Sequence, residues 1–218
     1  LADADNPDSE FTQVQIRRFQ DLAGRLKAGG LKIPLLHVAN SSAVLRYPDA
    51  HGTAVRPGLM LYGYHMTPHA ADAVDLRPVL SLTTRVIQVR TLAPGQAVGY
   101  NRTWSAPSPA RLAVLPVGYA DGYSRALSNR GAVLLHGVQA GIIGRVCMDF
   151  TMVDITRVPQ VRPGDEAVLI GRQGTEHLSA HDLAAWMGTI PYEVLCTLGQ
   201  RVARRYLPGS PLTERKSR

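Results

Sequence analysis

The first part of the chain alternates apolar segments with the spacing of helices and buried strands. A helix is predicted to begin at Glu10, after the capping residue Ser9. Its predicted apolar face consists of Phe19, Leu22, Ala23 and Leu26. Two apolar runs, 33–38 and 53–64, flank a short helix around 43–46. Strand–helix–strand spacing of this kind predicts α/β structure with parallel strands, as in a barrel or a doubly wound sheet.

The later part of the chain has the pattern of an all-β domain. Short runs of β-branched residues are separated by turn signals such as Pro94-Gly95. The predicted strands are 79–92, 111–117, 132–135, 141–155 and 166–170. One helix interrupts them, because Ser179 and Asp182 form a capping box ahead of an apolar stretch. With 65–77 as a linker, we predict two domains, 1–74 and 75–218.

Composition narrows the choice of partners and of compartment. The net charge is +7, but the 24 lysines and arginines are scattered along the chain and form no cluster interleaved with aromatic residues, so we predict no nucleic-acid partner. No apolar run approaches the roughly 20 residues of a membrane helix, so we predict no membrane partner. Cys147 and Cys196 do not suggest a disulfide framework, and they fit a reducing cytoplasm.

Two histidine pairs have the spacing of metal ligands on a helix. His65 and His69 lie in the predicted linker, whereas His177 and His181 flank the capping box. Neither pair has a third potential ligand nearby, so we predict no metal site. The sequence also has no serine nucleophile elbow and no Walker-type phosphate loop.

Six short motifs in a fixed order carry the strongest functional signal. They are HVANS at 37–41, VRPGLMLYG at 55–63, PGQAVGY at 94–100, VGYADGY at 117–123, GRVCMD at 144–149 and IPYEV at 190–194. In order and spacing they resemble the alanine racemases, from residue 1 to about residue 207. The resemblance implies the C-terminal portion of a (β/α)8 barrel, followed by a mainly β C-terminal domain. It also implies a cytoplasmic homodimer with shared active sites, which uses pyridoxal phosphate to interconvert L- and D-alanine for peptidoglycan.

Tyr100 occupies the position of the acid–base tyrosine of this family. Racemisation removes a proton from one face of the substrate Cα and returns one to the other face, so two bases on opposite faces suit it. A tyrosine has an ordinary pKa of about 10, and ionising it at pH 7 costs roughly 4 kcal/mol. Nearby cations and hydrogen-bond donors must lower that cost. Without the resemblance, a strand tyrosine with a hydrated hydroxyl would be the simpler interpretation.

The same resemblance assigns a cofactor-binding set. Arg56 matches the residue that faces the pyridine nitrogen, and an arginine can only donate hydrogen bonds. The remaining members are Asn40, Ser41, Gly58, Leu59 and Tyr192. A serine where a helix begins suits an anion such as a phosphate, and a glycine lets its backbone N–H approach closely. For Ser41 alone, a plain helix cap is an equally good interpretation.

A second set is assigned to the substrate. By the resemblance, Met148 offers its backbone N–H to the substrate carboxylate in the other subunit, with Cys147 and Asp149 beside it. Tyr119 matches the tyrosine that narrows the substrate entrance. A methionine side chain is more often part of a core, but the role assigned to Met148 belongs to its main chain.

The lysine that binds the cofactor has no candidate in this sequence. The only lysines are Lys27 at a helix end, Lys32 at the entry to a predicted strand, and Lys216 in the polar tail. Barrel sites lie at the exits of strands, so none of the three fits. We expect the lysine to precede Leu1, together with a histidine that contacts the tyrosine and a further arginine. The 218-residue chain by itself should then be inactive and poorly folded in its barrel part.

Two alternatives remain open from the sequence. One is a racemase of broader specificity, acting on serine, lysine or arginine. The other is a non-catalytic relative, although Tyr100, Arg56 and the phosphate set argue against it. The entrance residues that decide the first alternative are expected to include residues that precede Leu1.

Overall fold

The computed structural model describes residues 1–6, 8–66 and 74–207. Its longest helix, α1 (Glu10–Ala28), begins as predicted, because the Ser9 hydroxyl accepts a hydrogen bond from the Thr12 N–H at 3.2 Å. The buried side chains are Thr12, Ile16 and Ala23. Leu22 is 54% exposed, so the predicted apolar face is only partly covered.

Helix α2 (Ser41–Arg46) confirms the short helix predicted in this region. Its cap is Asn40, whose side-chain oxygen accepts a hydrogen bond from the Ala43 N–H at 3.0 Å. The interpretation of Ser41 as the cap is therefore wrong, and the Ser41 hydroxyl is available for other contacts. A small apolar cluster of Ala4, Ile16, Ala39, Ala43 and Ala50 joins α1 to α2.

The buried strand predicted at 33–38 does not form, and the apolar run 53–64 contains no strand either. They are joined by a few bonds centred on Leu36 and Thr53: the Leu36 N–H donates to the Thr53 hydroxyl at 2.7 Å, and the Thr53 N–H donates to the Leu36 carbonyl at 3.0 Å. A strand needs a neighbour that accepts and donates along its whole length. Within the described residues neither run has one, and residues Leu59–Tyr62 form a short 3-10 helix instead.

The β domain consists of three antiparallel sheets. The largest contains β1 (Leu82–Arg85), β6 (Ala132–Leu135), β7 (Val138–Gly141), β9 (Glu166–Gln173) and β10 (Glu176–Leu178). These strands have the order β1-β9-β6-β7, and β10 also pairs with β9. The second sheet has the order β2-β5-β8, and its strands are β2 (Gln88–Leu92), β5 (Ala110–Leu115) and β8 (Thr151–Asp154). The third pairs β3 (Ala97–Val98) with β4 (Trp104–Ser105).

Two predicted long strands are interrupted. The run 79–92 divides into β1 and β2, which belong to different sheets. The run 141–155 is extended only at its ends, because Gly144 has a φ of 72° and its N–H bonds to the Asn129 side chain at 2.6 Å. The Val146 N–H bonds to the Ser128 hydroxyl at 3.0 Å. Residues 142–150 therefore form a loop rather than a strand.

Two helices close the domain over its core. Helix α3 (Ala180–Met187) has the predicted Ser179–Asp182 capping box. Helix α4 (Pro191–Thr197) follows after Gly188. A single large apolar core lies beneath them, and it includes the fully buried Leu135 and Leu169. No helix in the described part of the chain is long and apolar enough to cross a membrane.

Candidate active site

Three of the predicted cofactor residues meet at one place. The Ser41 hydroxyl accepts a hydrogen bond from the Gly58 N–H at 2.8 Å and lies 3.5 Å from the Met60 nitrogen. A Cβ added to Gly58 would lie 3.9 Å from a ring carbon of Tyr192 and 4.0 Å from the Ser41 hydroxyl. We call the group formed by Ser41, Gly58 and Tyr192 the cradle. It brings the Ser41 hydroxyl, the Gly58 backbone amide and the Tyr192 ring around the position that a larger side chain at residue 58 would occupy.

Two of the three remaining predicted cofactor residues, Asn40 and Leu59, have different surroundings. Asn40 caps α2, and its amide nitrogen also donates to the Leu1 carbonyl at 3.3 Å. Leu59 is 1% exposed and belongs to the main core, so its side chain is a packing residue. These two residues support the cradle through the backbone around it.

Arg56 is held by a histidine that the sequence analysis left without a role. Its Nε donates to the Nδ1 of His37 at 3.1 Å, and one Nη lies 3.4 Å from the Val38 carbonyl. Because His37 Nδ1 accepts this bond, the proton of the neutral ring is on Nε2. The signal for His37 was its place at the start of the 37–41 motif, opposite the arginine of the next motif.

Tyr100 lies on an exposed turn of unusual backbone conformation. The residue before it, Gly99, has a φ of 74°, and the residues after it, Asn101 and Arg102, have φ values of 59° and 48°. A Cβ on Gly99 would lie 3.2 Å from the Arg145 nitrogen, so the turn packs closely on the 142–150 loop. The side chain of Tyr100 is 72% exposed. The turn therefore presents the phenol outward from the β domain.

A contrasting tyrosine lies beneath this surface. Tyr123 is 2% exposed, and burial raises the pKa of its hydroxyl well above the usual range. It stays protonated and enclosed at neutral pH, so it is a core residue. Of these two tyrosines, only Tyr100 can reach a molecule outside the domain.

The predicted substrate residues lie on two loops that are bonded to each other. The Tyr119 N–H donates to the Cys147 carbonyl, and the Ala120 N–H donates to the Met148 carbonyl, both at 3.0 Å. A Cβ on Gly118 would lie 2.2 Å from the Cys147 oxygen, so only glycine permits this approach. Tyr119 is 44% exposed and Met148 is 53% exposed.

The side chains of Cys147 and Asp149 differ in their chemistry. Burial raises the pKa of the Cys147 thiol, and the charge of Arg125 only partly opposes this shift. The thiol therefore stays protonated at neutral pH and is a poor nucleophile. Asp149 accepts a hydrogen bond from Arg201 at 2.7 Å.

The predicted site residues thus form two groups: those at or near the cradle, and those on the exposed turn and loops of the β domain. Within the described residues, no hydrogen bond or ion pair joins Tyr100 to Arg56 or to the cradle. Lys27 and Lys32 are both exposed, and Lys216 lies outside the described residues. Among those described residues, no group of three His, Cys, Asp or Glu side chains could hold a metal ion. His69, one of the four histidines considered above, is also outside them.

Sequence comparison places both groups in one family. Residues 79–206 match the family described as "Alanine racemase, C-terminal domain", and residues 1–66 match the corresponding N-terminal domain. The chain belongs to the alanine racemase family. It is 43% identical over 206 residues to the alanine racemase of Halothermothrix orenii, covering 94% of this chain and 54% of that protein. It is 45% identical to the enzyme of Carboxydothermus hydrogenoformans, covering 95% of this chain and 56% of that protein.

Solved structures of this family have the same fold. Alanine racemase from Streptomyces coelicolor A3(2) superposes with a TM-score of 0.90 at 36% identity, covering 96% of this chain and 55% of that one. The Bartonella henselae enzyme, which contains covalently bound pyridoxal phosphate, gives 0.83 at 31% identity, with 95% and 55% covered. The chain therefore spans about half the length of the relatives it matches. The expected architecture, part of a barrel domain followed by a mainly β domain, is confirmed.

Proposed function

We propose that this chain forms part of a pyridoxal-phosphate-dependent alanine racemase that interconverts L- and D-alanine. The observation that carries the proposal is the cradle, in which Ser41, Gly58 and Tyr192 converge from three separate parts of the sequence. D-alanine from this reaction would serve peptidoglycan synthesis. Two cysteines without a disulfide support the cytoplasm as its compartment. We keep the predicted domains, 1–74 and 75–218, as part of this proposal.

The cradle fits the phosphate of the cofactor. The hydroxyls of Ser41 and Tyr192 would donate hydrogen bonds to phosphate oxygens, and the Gly58 N–H, which here donates to the Ser41 hydroxyl, would turn to the phosphate when it binds. Glycine at position 58 keeps side-chain atoms out of this region, where a Cβ would already contact the Tyr192 ring at 3.9 Å. When bound, pyridoxal phosphate supplies the electron-withdrawing ring that makes the alanine Cα proton acidic.

Arg56 adds a fixed hydrogen-bond donor near the cradle. Its guanidinium is permanently charged and cannot accept a proton, so it would leave the pyridine nitrogen unprotonated. His37 holds the guanidinium through the 3.1 Å bond to Nε. We infer that this arrangement favours return of the proton to Cα over transamination, because an unprotonated ring withdraws electrons less strongly.

Tyr100 would move the proton on one face of Cα. A lysine from the upstream part of the complete protein would serve the opposite face. Because Tyr100 projects outward and has no contact with the cradle of its own chain within the described residues, we propose that it acts in the site of a second protomer. The exposed Tyr119 and Met148 lie on the same domain. In this proposal the Met148 N–H would donate to the substrate carboxylate. The protein would then be a homodimer with shared active sites.

Substitution at the cradle tests the proposal in the complete protein. Gly58→Val puts methyl groups beside Ser41 and Tyr192, so binding of pyridoxal phosphate should weaken about tenfold or more. The measurement is titration with pyridoxal phosphate, followed by its protein-bound absorbance and by conversion of L- to D-alanine. Gly141→Val is the matched control, since a Cβ on Gly141 meets nothing within 4 Å.

Three outcomes distinguish the candidates. A wild-type protein that gives no bound-cofactor absorbance would favour the non-catalytic relative. Equal turnover of alanine and of serine, lysine or arginine would favour the broader racemase. Equal cofactor affinity in Gly58→Val and Gly141→Val would contradict the assignment of the cradle.

A further inference from the structure

Arg201, which no motif includes, connects the two loops assigned to the substrate. One Nη lies 2.7 Å from a carboxylate oxygen of Asp149, and its Nε lies 3.4 Å from a carboxylate oxygen of Asp121. Asp121 belongs to the loop 118–122, and Asp149 belongs to the loop 147–149. We call these two segments the substrate loops. A single guanidinium therefore spans the carboxylates of both.

The Asp121 carboxylate connects Arg201 to the backbone of the loop that carries Tyr119. One of its oxygens faces Arg201, and the other accepts a hydrogen bond from the Gly118 N–H at 3.0 Å. The side chain of Asp121 is only 15% exposed, so it has little freedom to turn away. Arg201 is therefore connected, through Asp121, to the turn in which the Tyr119 N–H donates to the Cys147 carbonyl.

The segment that carries Arg201 is itself fixed against the same loop. The Gly199 N–H donates to the Asp121 carbonyl at 2.9 Å. Gly122 has a φ of 93°, and a Cβ there would lie 1.9 Å from the Thr197 carbonyl. The end of α4 and the loop 118–122 are therefore in close backbone contact, and the Arg201 side chain extends from this junction to Asp149.

The solvent exposure of Arg201 and Asp149 indicates whether their ion pair stabilises the fold or orients the loops. Arg201 is 55% exposed and Asp149 is 44% exposed. Ion pairs this exposed contribute little to folding stability, because solvent screens them. Their geometry is nevertheless specific, since one planar guanidinium meets two carboxylates on different loops. The expected consequence is a fixed orientation of the loops rather than a more stable fold.

We propose that Arg201 is a positioning residue for substrate binding, which sets the Met148 N–H and the Tyr119 ring in register with each other. This inference rests on the proposed racemase function. Arg201 itself has no assigned contact with the substrate. Removing it should weaken binding of alanine, because the two loops would sample more orientations before they meet the carboxylate.

The test compares three variants of the complete dimeric protein with bound pyridoxal phosphate. In Arg201→Ala, the KM for L-alanine should rise about tenfold while kcat stays within about twofold and Tm changes little. Arg201→Lys keeps the positive charge but loses the planar guanidinium that bonds to two carboxylates at once. Its KM should therefore lie between that of Arg201→Ala and that of the wild type. Arg90→Ala is the control, since Arg90 is an exposed arginine on β2 of the same domain.

A dependence on salt separates positioning from a general structural role. Raising the ionic strength from about 0.05 M to about 0.5 M should screen the exposed ion pairs and raise the wild-type KM. The increase should be clearly smaller in Arg201→Ala, which has no ion pairs to screen. A purely structural role would lower Tm and cofactor occupancy without this difference, and that result would overturn the inference.

Failure of the inference differs from failure of the proposed function. An active wild type whose KM matches that of Arg201→Ala would overturn the positioning role alone. A wild type without racemase turnover would overturn the proposed function, and the inference with it.

Discussion

Residues 1–66 and residues 79–207 differ in where their backbone hydrogen bonds go. In the β domain, β5 is paired along its length with β2 on one side and β8 on the other. In the N-terminal part, the run 33–38 makes only a few bonds to the segment 53–56, centred on Leu36 and Thr53. Both regions contain apolar runs of similar composition. The comparison teaches that a strand forms only where the chain also supplies its neighbour.

The two regions also hold their candidate site residues differently. The cradle is internally bonded, and Ser41 is only 4% exposed. The β domain instead presents Tyr100, Tyr119 and Met148 outward on loops that are fixed by backbone contacts. Under the proposed function, each region carries half of the chemistry, and a second protomer would bring the two halves together.

Loss of the Tyr100 hydroxyl should reduce racemase activity more than any other change considered below. Tyr100→Phe in the complete protein should lower kcat by about 10²–10⁴-fold, the range typical of general acid–base groups. Cofactor binding should be unchanged, because Tyr100 has no contact with the cradle of its own chain among the described residues. Tyr206→Phe, at an 89% exposed position, is the control. Retention of more than about a tenth of the activity would contradict the role of Tyr100.

Hydrogen exchange should separate the two regions of the 218-residue chain by itself. Amides of β5, β6 and β9 should be protected to the level of global unfolding, whereas those of 31–39 and 53–58 should exchange about 10²-fold faster or more. In a protein of the full length of the relatives, we expect the second set to become protected, because additional barrel strands would pair with it. Equal protection of both regions in the isolated chain would show that the N-terminal part needs no partner.

A smaller effect is expected at the junction of the two regions. Tyr64, from the first region, packs edge-on against the ring of His181 in α3, with 5.7 Å between ring centres. Burial lowers the pKa of His181, although a hydrogen bond to the His65 backbone and the Asp182 carboxylate oppose the shift. The unfolded state then binds the proton more tightly, so stability is full above a pH of about 6.5 and declines as the pH falls toward the lower folded pKa.

The measurement for this junction is Tm as a function of pH. His181→Asn should reduce the loss of Tm between pH of about 7.5 and about 5.5. His177→Asn, at an exposed position on β10, should leave the loss unchanged. A wild-type Tm that does not fall over this range would rule out a contribution from His181.

Local features of the fold were predictable from the sequence, and nonlocal ones were not. The cap at Ser9 and the capping box at Ser179 depend on residues three positions away, and both are confirmed. The strand predicted at 141–155 is wrong because side chains of Ser128 and Asn129 bond to its backbone from a distance. The strand predicted at 33–38 is wrong because no partner strand lies within the described residues.

The candidate site was predictable only where the family motifs assigned a role. They assigned roles to Ser41, Gly58 and Tyr192, and the structure brings these three together. They assigned none to His37 or Arg201, whose partners Arg56 and Asp149 are identified by the structure alone. Their contacts depend on how separate segments meet in the fold, which spacing along the chain does not encode.

The central claim, that Tyr100 of one protomer acts beside the cradle of another, is tested most directly by mixed dimers. Tyr100→Phe and Gly58→Val complete proteins are purified with different tags and allowed to exchange subunits, and activity is assayed at a pyridoxal phosphate concentration too low to load the Gly58→Val site. If the sites are shared, each mixed dimer has one intact site, and the equimolar mixture should recover about a quarter of the wild-type activity. If Tyr100 serves its own chain, no mixed dimer has an intact site. Activity no greater than that of the two separate variants would contradict the account.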